Sequence, residues 1–354
     1  MRKYYPGITL FKLIGSILVV LSHVHMFQYF HEHNRENTGT NPFYNILVPC
    51  FYIISGFLVY KGWSHAANPY QYVKRYLTWI ILIYSLFCLI LLVRTVIGQG
   101  FNPNTFFALC IAFFVAGPYY QLWFIPPLIF SMIFCYFFER RNKLRLAIIL
   151  AACGFVFAQF MTGTLKVLTQ VTIGDIYLFH MKYSKLLDGV SLTYLGFGLP
   201  FVLTGVVIGK YEEKFLRSRI SWLLLISVLV FTAEFLFLNY LAPGDHAYFL
   251  VFNMLPAAIL LFYGVLRVKM DGIKAHHAFI NLFSIVIFFS QILFIHGNMI
   301  ALKWQFSTMS WFQRVVIVLL TLIEGLLVTL FIMFLQKNVK GLSKQRTFDQ
   351  SITK

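Results

Sequence analysis

Two ionisable residues, Lys12 and His23, interrupt an apolar stretch near the start of the sequence, residues 8–27. The stretch is long enough to cross a bilayer as a helix. Ionisable side chains inside a membrane span are unfavourable and therefore point to a functional site. Their separation corresponds to about three helical turns, so both side chains are predicted on one face, roughly 16 Å apart along the axis. This helix is predicted to carry one polar stripe from near one membrane surface to beyond the midplane.

His23 is the residue of this stripe best suited to acid–base chemistry. An imidazole changes its charge near neutral pH, so it can take up a proton and return it. A histidine that only hydrogen-bonds between helices is the alternative. The face that His23 shares with Lys12 favours a functional role, and we predict both residues to be catalytic.

The composition is that of an all-α integral membrane protein. Of the 354 residues, 59% are hydrophobic and 12% are charged, whereas soluble domains are about 45–50% apolar and about 25% charged. A β-barrel is excluded because the apolar runs are continuous rather than alternating. Ten apolar stretches are predicted to span the membrane and leave no room for a soluble domain: 8–27, 43–60, 76–97, 117–138, 144–161, 192–209, 221–241, 248–266, 279–301 and 312–335. The run 106–115 is too short to span and is predicted to be a re-entrant or interfacial helix.

The net charge of +17 reports membrane topology and does not predict binding to nucleic acid. When the N-terminus is placed in the cytoplasm, 21 of the 29 Lys and Arg residues fall in inside segments and six in outside segments. Positive residues accumulate in cytoplasmic loops, so we predict that both termini are cytoplasmic. Lys12 then lies in the inner half of the first span and His23 in the outer half. Residues 1–336 are predicted to form the membrane domain, and residues 337–354 a basic cytoplasmic tail.

Four further positions could contribute to a site at one membrane surface or the other. Lys74 and Arg75 stand where the third span begins on the cytoplasmic side, as a positive anchor or as ligands of phosphate. Trp123 and His296 lie near the outer face, the first within an interfacial aromatic belt and the second on the same side as His23. Pro126 and Pro127 follow Trp123 and are predicted to kink the fourth span.

Other charged or small residues inside the spans require an explanation. Ser55 and Gly56 are predicted to allow two helices to pack closely. Arg94, Glu234 and Glu324 lie at membrane depth, where each charge needs a partner that the sequence does not name.

No metal site is predicted from the sequence. His31 and His33 flank Glu32 in a polar loop, but this spacing is not that of a zinc-binding HExxH helix. The five cysteines all fall in apolar runs without CxxC or Cys/His spacing, and they are predicted to be small buried hydrophobic residues.

Taken in chain order, these stretches resemble the acyltransferase family 3 of integral membrane proteins. KLIGSILVVLSH matches the family's basic residue followed ten residues later by histidine, with Lys12 in place of the usual arginine. FYIISGF, YVKRYLTWI and Leu122-Trp123-Phe124 match the later motifs, and His296 corresponds to a late histidine in an apolar run. In the third span the family has two arginines three residues apart, where this chain has Arg75 and Thr78.

The resemblance implies an enzyme that transfers acyl groups other than aminoacyl groups. The expected donor is cytosolic acyl-CoA, usually acetyl-CoA, and the expected acceptor is a hydroxyl of a surface polysaccharide or lipid-linked sugar. No permanently bound cofactor is expected, and the location implied is a bacterial inner or plasma membrane. In these terms His23 is a general base or a covalent acyl carrier, and Lys12, Lys74 and Arg75 handle the donor. The acceptor side is expected to be formed by Ser55, Trp123 and His296.

A carrier or exporter of glycan or lipid is the competing hypothesis. In a carrier, Lys12 and His23 would couple protons or bind substrate, and Glu234 and Glu324 would matter as much as His23. A structural or partner-binding membrane subunit is a third possibility, in which neither Lys12 nor His23 would be sensitive to conservative change.

Overall fold

The computed structural model describes residues 3–24, 46–100, 102–115, 117–118, 122–173, 184–218, 220–241 and 250–352. The described chain is 87% helical and contains no strands, which confirms the predicted all-α class. One isolated β-bridge pairs Gly163 with Leu250. The described fold is therefore a set of helices, and contacts between these helices position the candidate site.

The described residues form fourteen α-helices, one π-helix and two 3-10 helices. In chain order they are α1 (Pro6–His23), α2 (Leu47–Ser64), α3 (Pro69–Gln99), α4 (Pro103–Val115), α5 (Ile125–Arg140), α6 (Leu144–Thr162), α7 (Thr164–Ile173), α8 (Ser184–Val190), a π-helix (Ser191–Gly198), α9 (Leu199–Lys210), α10 (Glu212–Arg217), α11 (Ser221–Leu241), α12 (Met254–Arg267), a 3-10 helix (Asp271–His276), α13 (His277–Ala301), a second 3-10 helix (Phe306–Thr308) and α14 (Trp311–Ile352).

Seven helical segments of the described chain are long and apolar enough to cross a membrane. Two more apolar helices, α4 and α12, are shorter than a full span, and α11 contains a further apolar stretch at residues 222–238. The prediction of a short helix at 106–115 is confirmed by α4, whereas the predicted total of ten spans stays a prediction. α14 continues without a break to Ile352, so the predicted domain boundary at residue 336 falls inside a helix.

The predicted kink at Pro126 and Pro127 is wrong. Both prolines lie in the first turn of α5, which begins at Ile125. The first N–H groups of a helix have no intrahelical acceptor, so proline there loses no hydrogen bond. The two prolines start this helix and leave its interior unbroken.

The chain divides into two compact units. The first comprises residues 1–30 and 269–354, and the second comprises residues 31–268. The first unit contains α1, α13, α14 and the two 3-10 helices, and it is held together by a cluster of apolar side chains. Its buried members are Val20, Val24, Phe283, Ile287, Ile295, Met309, Ile317 and Val318.

Helices α2 and α9 form the closest helix pair of the second unit. A Cβ atom added to Gly56 would lie 2.1 Å from the carbonyl oxygen of Val202, and one added to Gly205 would lie 2.1 Å from that of Ile53. Only glycine allows two backbones to approach so closely. The predicted packing role of Gly56 is therefore confirmed.

Two ion pairs join the C-terminal ends of the helices in this second unit. The Lys61 ammonium is 2.7 Å from the buried Glu212 carboxylate, and that of Lys210 is 3.5 Å from Glu139. Because Lys61, Glu139 and Lys210 lie at the ends of α2, α5 and α9, these pairs fix three helix termini at a common level.

Candidate functional site

His23 is the last residue of α1, a helix that starts at Pro6, where the fixed φ of proline suits the first turn. Its ring nitrogen Nδ1 lies 2.9 Å from the carbonyl oxygen of Val19, one turn earlier. A carbonyl oxygen can only accept a hydrogen bond, so Nδ1 carries the proton of the neutral ring. Nε2 of this tautomer holds the lone pair, which is the state that a general base requires.

His296 repeats this arrangement on α13. Its Nδ1 lies 3.0 Å from the carbonyl oxygen of Ile292, again one turn earlier. The same argument assigns the proton to Nδ1 and the lone pair to Nε2. His23 and His296, the two histidines predicted on the outer side, are thus each oriented by the backbone of their own helix.

The register of α1 against α13 brings the two histidines to neighbouring levels. The Lys12 ammonium contacts Asn281 at 3.0 Å, and Thr9 contacts His277 at 2.8 Å. Both contacts pair residues about 269 positions apart, so the helices run parallel. The same offset puts His23 level with residue 292, and His296 lies about one turn, roughly 6 Å, further along the axis.

Arg314 on α14 is a residue of this region that sequence reasoning missed. Its side chain is 4% exposed, and its guanidinium donates to the carbonyl oxygens of Val24 at 3.1 Å and Met309 at 3.5 Å. It also lies 5.6 Å from the centre of the Phe306 ring. The arginine therefore caps the C-terminus of α1 directly after His23, where a helix presents unsatisfied carbonyls and partial negative charge.

The signal that could have identified Arg314 is its place in the apolar stretch 312–335. Arg314 is one of the six positive residues predicted in outside segments, but a cation so close to an apolar run needs a partner just as Arg94 does. Its partner Val24 lies 290 positions away in the chain, and such a contact leaves no local pattern.

Lys12 lies at the opposite end of α1 in a network of neutral side chains. Its ammonium donates to Oδ1 of Asn281, and Nδ2 of Asn281 lies 2.9 Å from the His277 carbonyl oxygen. The ring of His277 contacts the Thr9 hydroxyl at 2.8 Å and the edge of Tyr4, with ring centroids 4.9 Å apart. Within the described residues the ammonium therefore donates to a neutral amide, which the His277 carbonyl oxygen holds in place.

Glu324 and Glu234, the two glutamates predicted at membrane depth, both have hydrogen-bond partners in the structure. Glu324 accepts a hydrogen bond of 3.0 Å from the Asn298 amide, two residues after His296. Glu234 accepts bonds of 2.6–2.8 Å from the Thr164 hydroxyl, two backbone N–H groups at 252–253, and the Asn253 amide. Because Phe252 and Asn253 directly precede α12, these bonds hold the Glu234 carboxylate next to the start of that helix.

Lys74 and Arg75 lie in the second turn of α3, and both side chains are exposed. The helix begins at Pro69, and Asn68 caps it by accepting a hydrogen bond of 3.0 Å from the backbone N–H of Gln71. Arg94, near the other end of α3, is exposed as well. The first two cations are thus displayed on a well-started helix where a soluble anion can reach them.

Ser55 and Trp123 lie on neighbouring elements of the second unit. The Tyr52 hydroxyl donates to the Phe124 carbonyl oxygen at 3.0 Å, and their rings are 4.3 Å apart. Ser55 follows Tyr52 by three residues on α2, and Trp123 directly precedes Phe124. The Trp123 ring is half-buried and packs edge-on against Phe197 at 5.8 Å.

Comparison with known families places the chain in one of them. The model of the acyltransferase 3 family, described as an acyltransferase domain, matches residues 5–334. The chain belongs to the acyltransferase 3 family. Neither the search of curated proteins nor that of solved structures found a match. With its apolar helices, the chain is a membrane acyltransferase.

The predicted residues of this acyltransferase are divided between its two units. Lys12, His23 and His296 belong to the first unit, whose α1 and α13 bring them onto one packed helix pair. The second unit contains Ser55, Lys74, Arg75 and Trp123.

No group of three or more His, Cys, Asp or Glu side chains in the described part of this acyltransferase could hold a metal ion. His31 and His33 lie outside the described residues. Cys50, Cys88 and Cys135 are buried as predicted, but the prediction is wrong for Cys110 and Cys153, which are exposed on α4 and α6. A helix that contacts lipid on one face leaves apolar residues of that face uncovered by protein, which accounts for both exceptions.

Proposed function

We propose that this acyltransferase moves an acyl group, most simply acetyl, from cytosolic acyl-CoA to a hydroxyl of a cell-envelope polysaccharide or lipid-linked sugar. The enzyme would act in the plasma membrane of a bacterium, with Lys12 towards the cytoplasm and His23 towards the outer surface. The observation that carries the proposal is the hydrogen bond from His23 Nδ1 to the Val19 carbonyl oxygen. It supports His23 as the base, because Nε2 of that tautomer accepts protons.

The reaction needs one proton transfer and one displacement. Nε2 of His23 removes the proton of the acceptor hydroxyl while the hydroxyl oxygen attacks the thioester carbonyl carbon. The C–S bond then breaks, and the coenzyme A thiolate takes the proton that His23 had accepted. Sugar hydroxyls are weak nucleophiles at neutral pH, so a positioned base contributes about 10²–10⁴-fold in rate.

The cationic residues are assigned to the donor. Lys74 and Arg75 would hold the phosphates of acyl-CoA at the cytoplasmic mouth, because charge-assisted hydrogen bonds to phosphate are strong. Lys12 would stabilise negative charge further along the path. Ser55, Trp123 and His296 would contact the acceptor.

The test is mass spectrometry of the surface polysaccharide and lipid-linked sugars of cells that express the wild type, His23→Ala or no enzyme. We expect the wild type to add an acyl mass that the other two lack, at equal membrane levels of both proteins. Full acylation by a well-expressed His23→Ala variant would reject the mechanism. Translocated glycan that disappears without any change in acyl mass would instead support the carrier.

A further inference from the structure

We propose that Asn281 and His277 are positioning residues that hold the Lys12 ammonium without neutralising it, so that its charge is available to the anionic part of acyl-CoA. The inference rests on the proposed function for the identity of the ligand. It assigns a role to two residues of α13 that no sequence motif selected.

The contact from Lys12 to Asn281 restricts a flexible side chain. A lysine stem has four rotatable bonds, and ordering it is entropically unfavourable. The 3.0 Å bond from Nζ to Oδ1 of Asn281 fixes the ammonium against α13. The amide of Asn281 is fixed in turn, because its Nδ2 lies 2.9 Å from the His277 carbonyl oxygen and 3.0 Å from both ring nitrogens.

His277 closes the network back onto α1. Its Nδ1 lies 2.8 Å from the hydroxyl of Thr9, a side chain that is 1% exposed. Thr9 and Lys12 are three residues apart on α1, and His277 and Asn281 are four apart on α13, so each pair lies on one helix face. The result is a ladder of two rungs, Thr9 with His277 and Lys12 with Asn281.

Because the hydrogen-bond acceptor of Lys12 carries no opposite charge, we assign this network to ligand binding. A lysine retained in an apolar helix pair only for structure is expected to pair with a carboxylate or with backbone carbonyls. Within the described residues no carboxylate forms an ion pair with Lys12, and its hydrogen-bond acceptor is an uncharged amide. An ammonium has three N–H donors, so two remain for an anion after the bond to Asn281.

The same geometry suits a lysine at position 12. A guanidinium presents a planar fork that is suited to two acceptor atoms, whereas an ammonium is a point charge. Asn281 offers one side-chain oxygen, and its nitrogen faces His277. A single acceptor atom therefore suits the point charge of a lysine better than the fork of a guanidinium.

The experiment measures acetyl-CoA binding and thermal stability of the purified full-length protein. In Asn281→Asp the contact to Lys12 is kept while the charge of the ammonium is neutralised. We expect acetyl-CoA to bind about tenfold or more weakly to this variant, whereas its melting temperature does not fall. Unchanged binding in Asn281→Asp would overturn the proposal, because a purely structural network does not depend on the net charge.

Two adjacent histidines supply the matched control. His276 and His277 are adjacent in sequence and both exposed. Within the described residues, His277 takes part in the ladder and His276 does not. We expect His277→Ala to weaken acetyl-CoA binding severalfold and His276→Ala to leave it unchanged. Equal behaviour of the two variants would contradict the assignment of His277.

A double-mutant cycle separates this inference from the proposed function. Asn281→Leu should lower the melting temperature, and adding Lys12→Met should restore it, because no unpaired ammonium then remains. If the two substitutions lower the melting temperature additively, Lys12 and Asn281 do not interact, and the proposal is overturned. If acetyl-CoA binds with the expected pattern but no glycan is acylated, the proposed acceptor fails and the inference holds; a wild type that does not bind acetyl-CoA would overturn both.

Discussion

The two ends of the α1–α13 helix pair contain similar residues in different hydrogen-bonding arrangements. At the N-terminal end, Thr9, Lys12, His277 and Asn281 bond from one helix to the other. At the C-terminal end, His23 and His296 each bond to a carbonyl of their own helix. Bonds between helices hold a side chain in place, whereas the bond within a helix selects a tautomer. The first arrangement suits a fixed charge and the second suits a group that accepts protons.

The largest effect should separate the two histidines at the C-terminal end. His23→Gln removes the base, and we expect kcat for acyl transfer to fall by about 10²–10⁴-fold. His296→Gln should raise KM for the acceptor and leave kcat nearly unchanged, because His296 is assigned to acceptor binding. Steady-state kinetics on membranes with matched protein levels checks both. A fall in kcat for His296→Gln equal to that for His23→Gln would remove the distinction between them.

The next largest effect is expected for Arg314, which caps the C-terminus of α1. Arg314→Met takes a donor from the Val24 and Met309 carbonyls, and we expect the free energy of unfolding to fall by about 2 kcal/mol. Thermal unfolding in detergent, with Arg314→Lys as a partial rescue, measures the change. The matched control is Arg217→Met, because Arg217 is 83% exposed and 3.9 Å from Glu213, and exposed pairs contribute little. Equal melting temperatures for the two methionine variants would contradict the capping role.

The exposed cations in the second turn of α3 provide the next comparison. The double variant Lys74→Gln/Arg75→Gln should raise KM for acyl-CoA about tenfold, with kcat unchanged, because charged contacts to phosphate are lost. High salt should reduce the difference between variant and wild type. Lys143→Gln/Arg145→Gln, also exposed at the start of a helix, should leave KM unchanged. If both double variants behave alike, general surface charge attracts the donor.

The smallest effect is expected for Lys12→Arg at the N-terminal end. Arginine keeps the positive charge and can donate to Oδ1 of Asn281, but its fork finds one acceptor there. We expect KM for acyl-CoA to rise by no more than about threefold, which is within the range of a slightly displaced hydrogen bond. A loss as large as that of Lys12→Met would mean that the compact ammonium itself is required.

Much of this fold and part of the site follow from local sequence. The all-α class, the polar stripe of α1 and the short helix α4 are properties of residues close together in the chain. The start of α5 was misread because a proline pair inside an apolar run has the same local pattern whether it kinks a helix or begins one.

The rest depends on contacts that no periodicity encodes. Arg314 reaches Val24 across 290 positions, and Asn281 reaches Lys12 across 269. Glu234 was expected to need a partner, and several neutral side-chain and backbone donors supply it. Hydrogen bonds to an anion can replace a counter-charge, and only the fold decides which is used.

The length of α3 has a consequence for the membrane itself. Its 31 residues extend over about 46 Å, whereas the hydrocarbon core is about 30 Å thick. If its apolar part, from Trp79 onwards, fills the core, the first ten residues project among the lipid headgroups. Anionic headgroups would then compete with the proposed acyl-CoA donor for Lys74 and Arg75. If these residues bind the donor, its capture depends on the lipid composition of the leaflet, and we expect activity in zwitterionic vesicles to differ from activity in the cell.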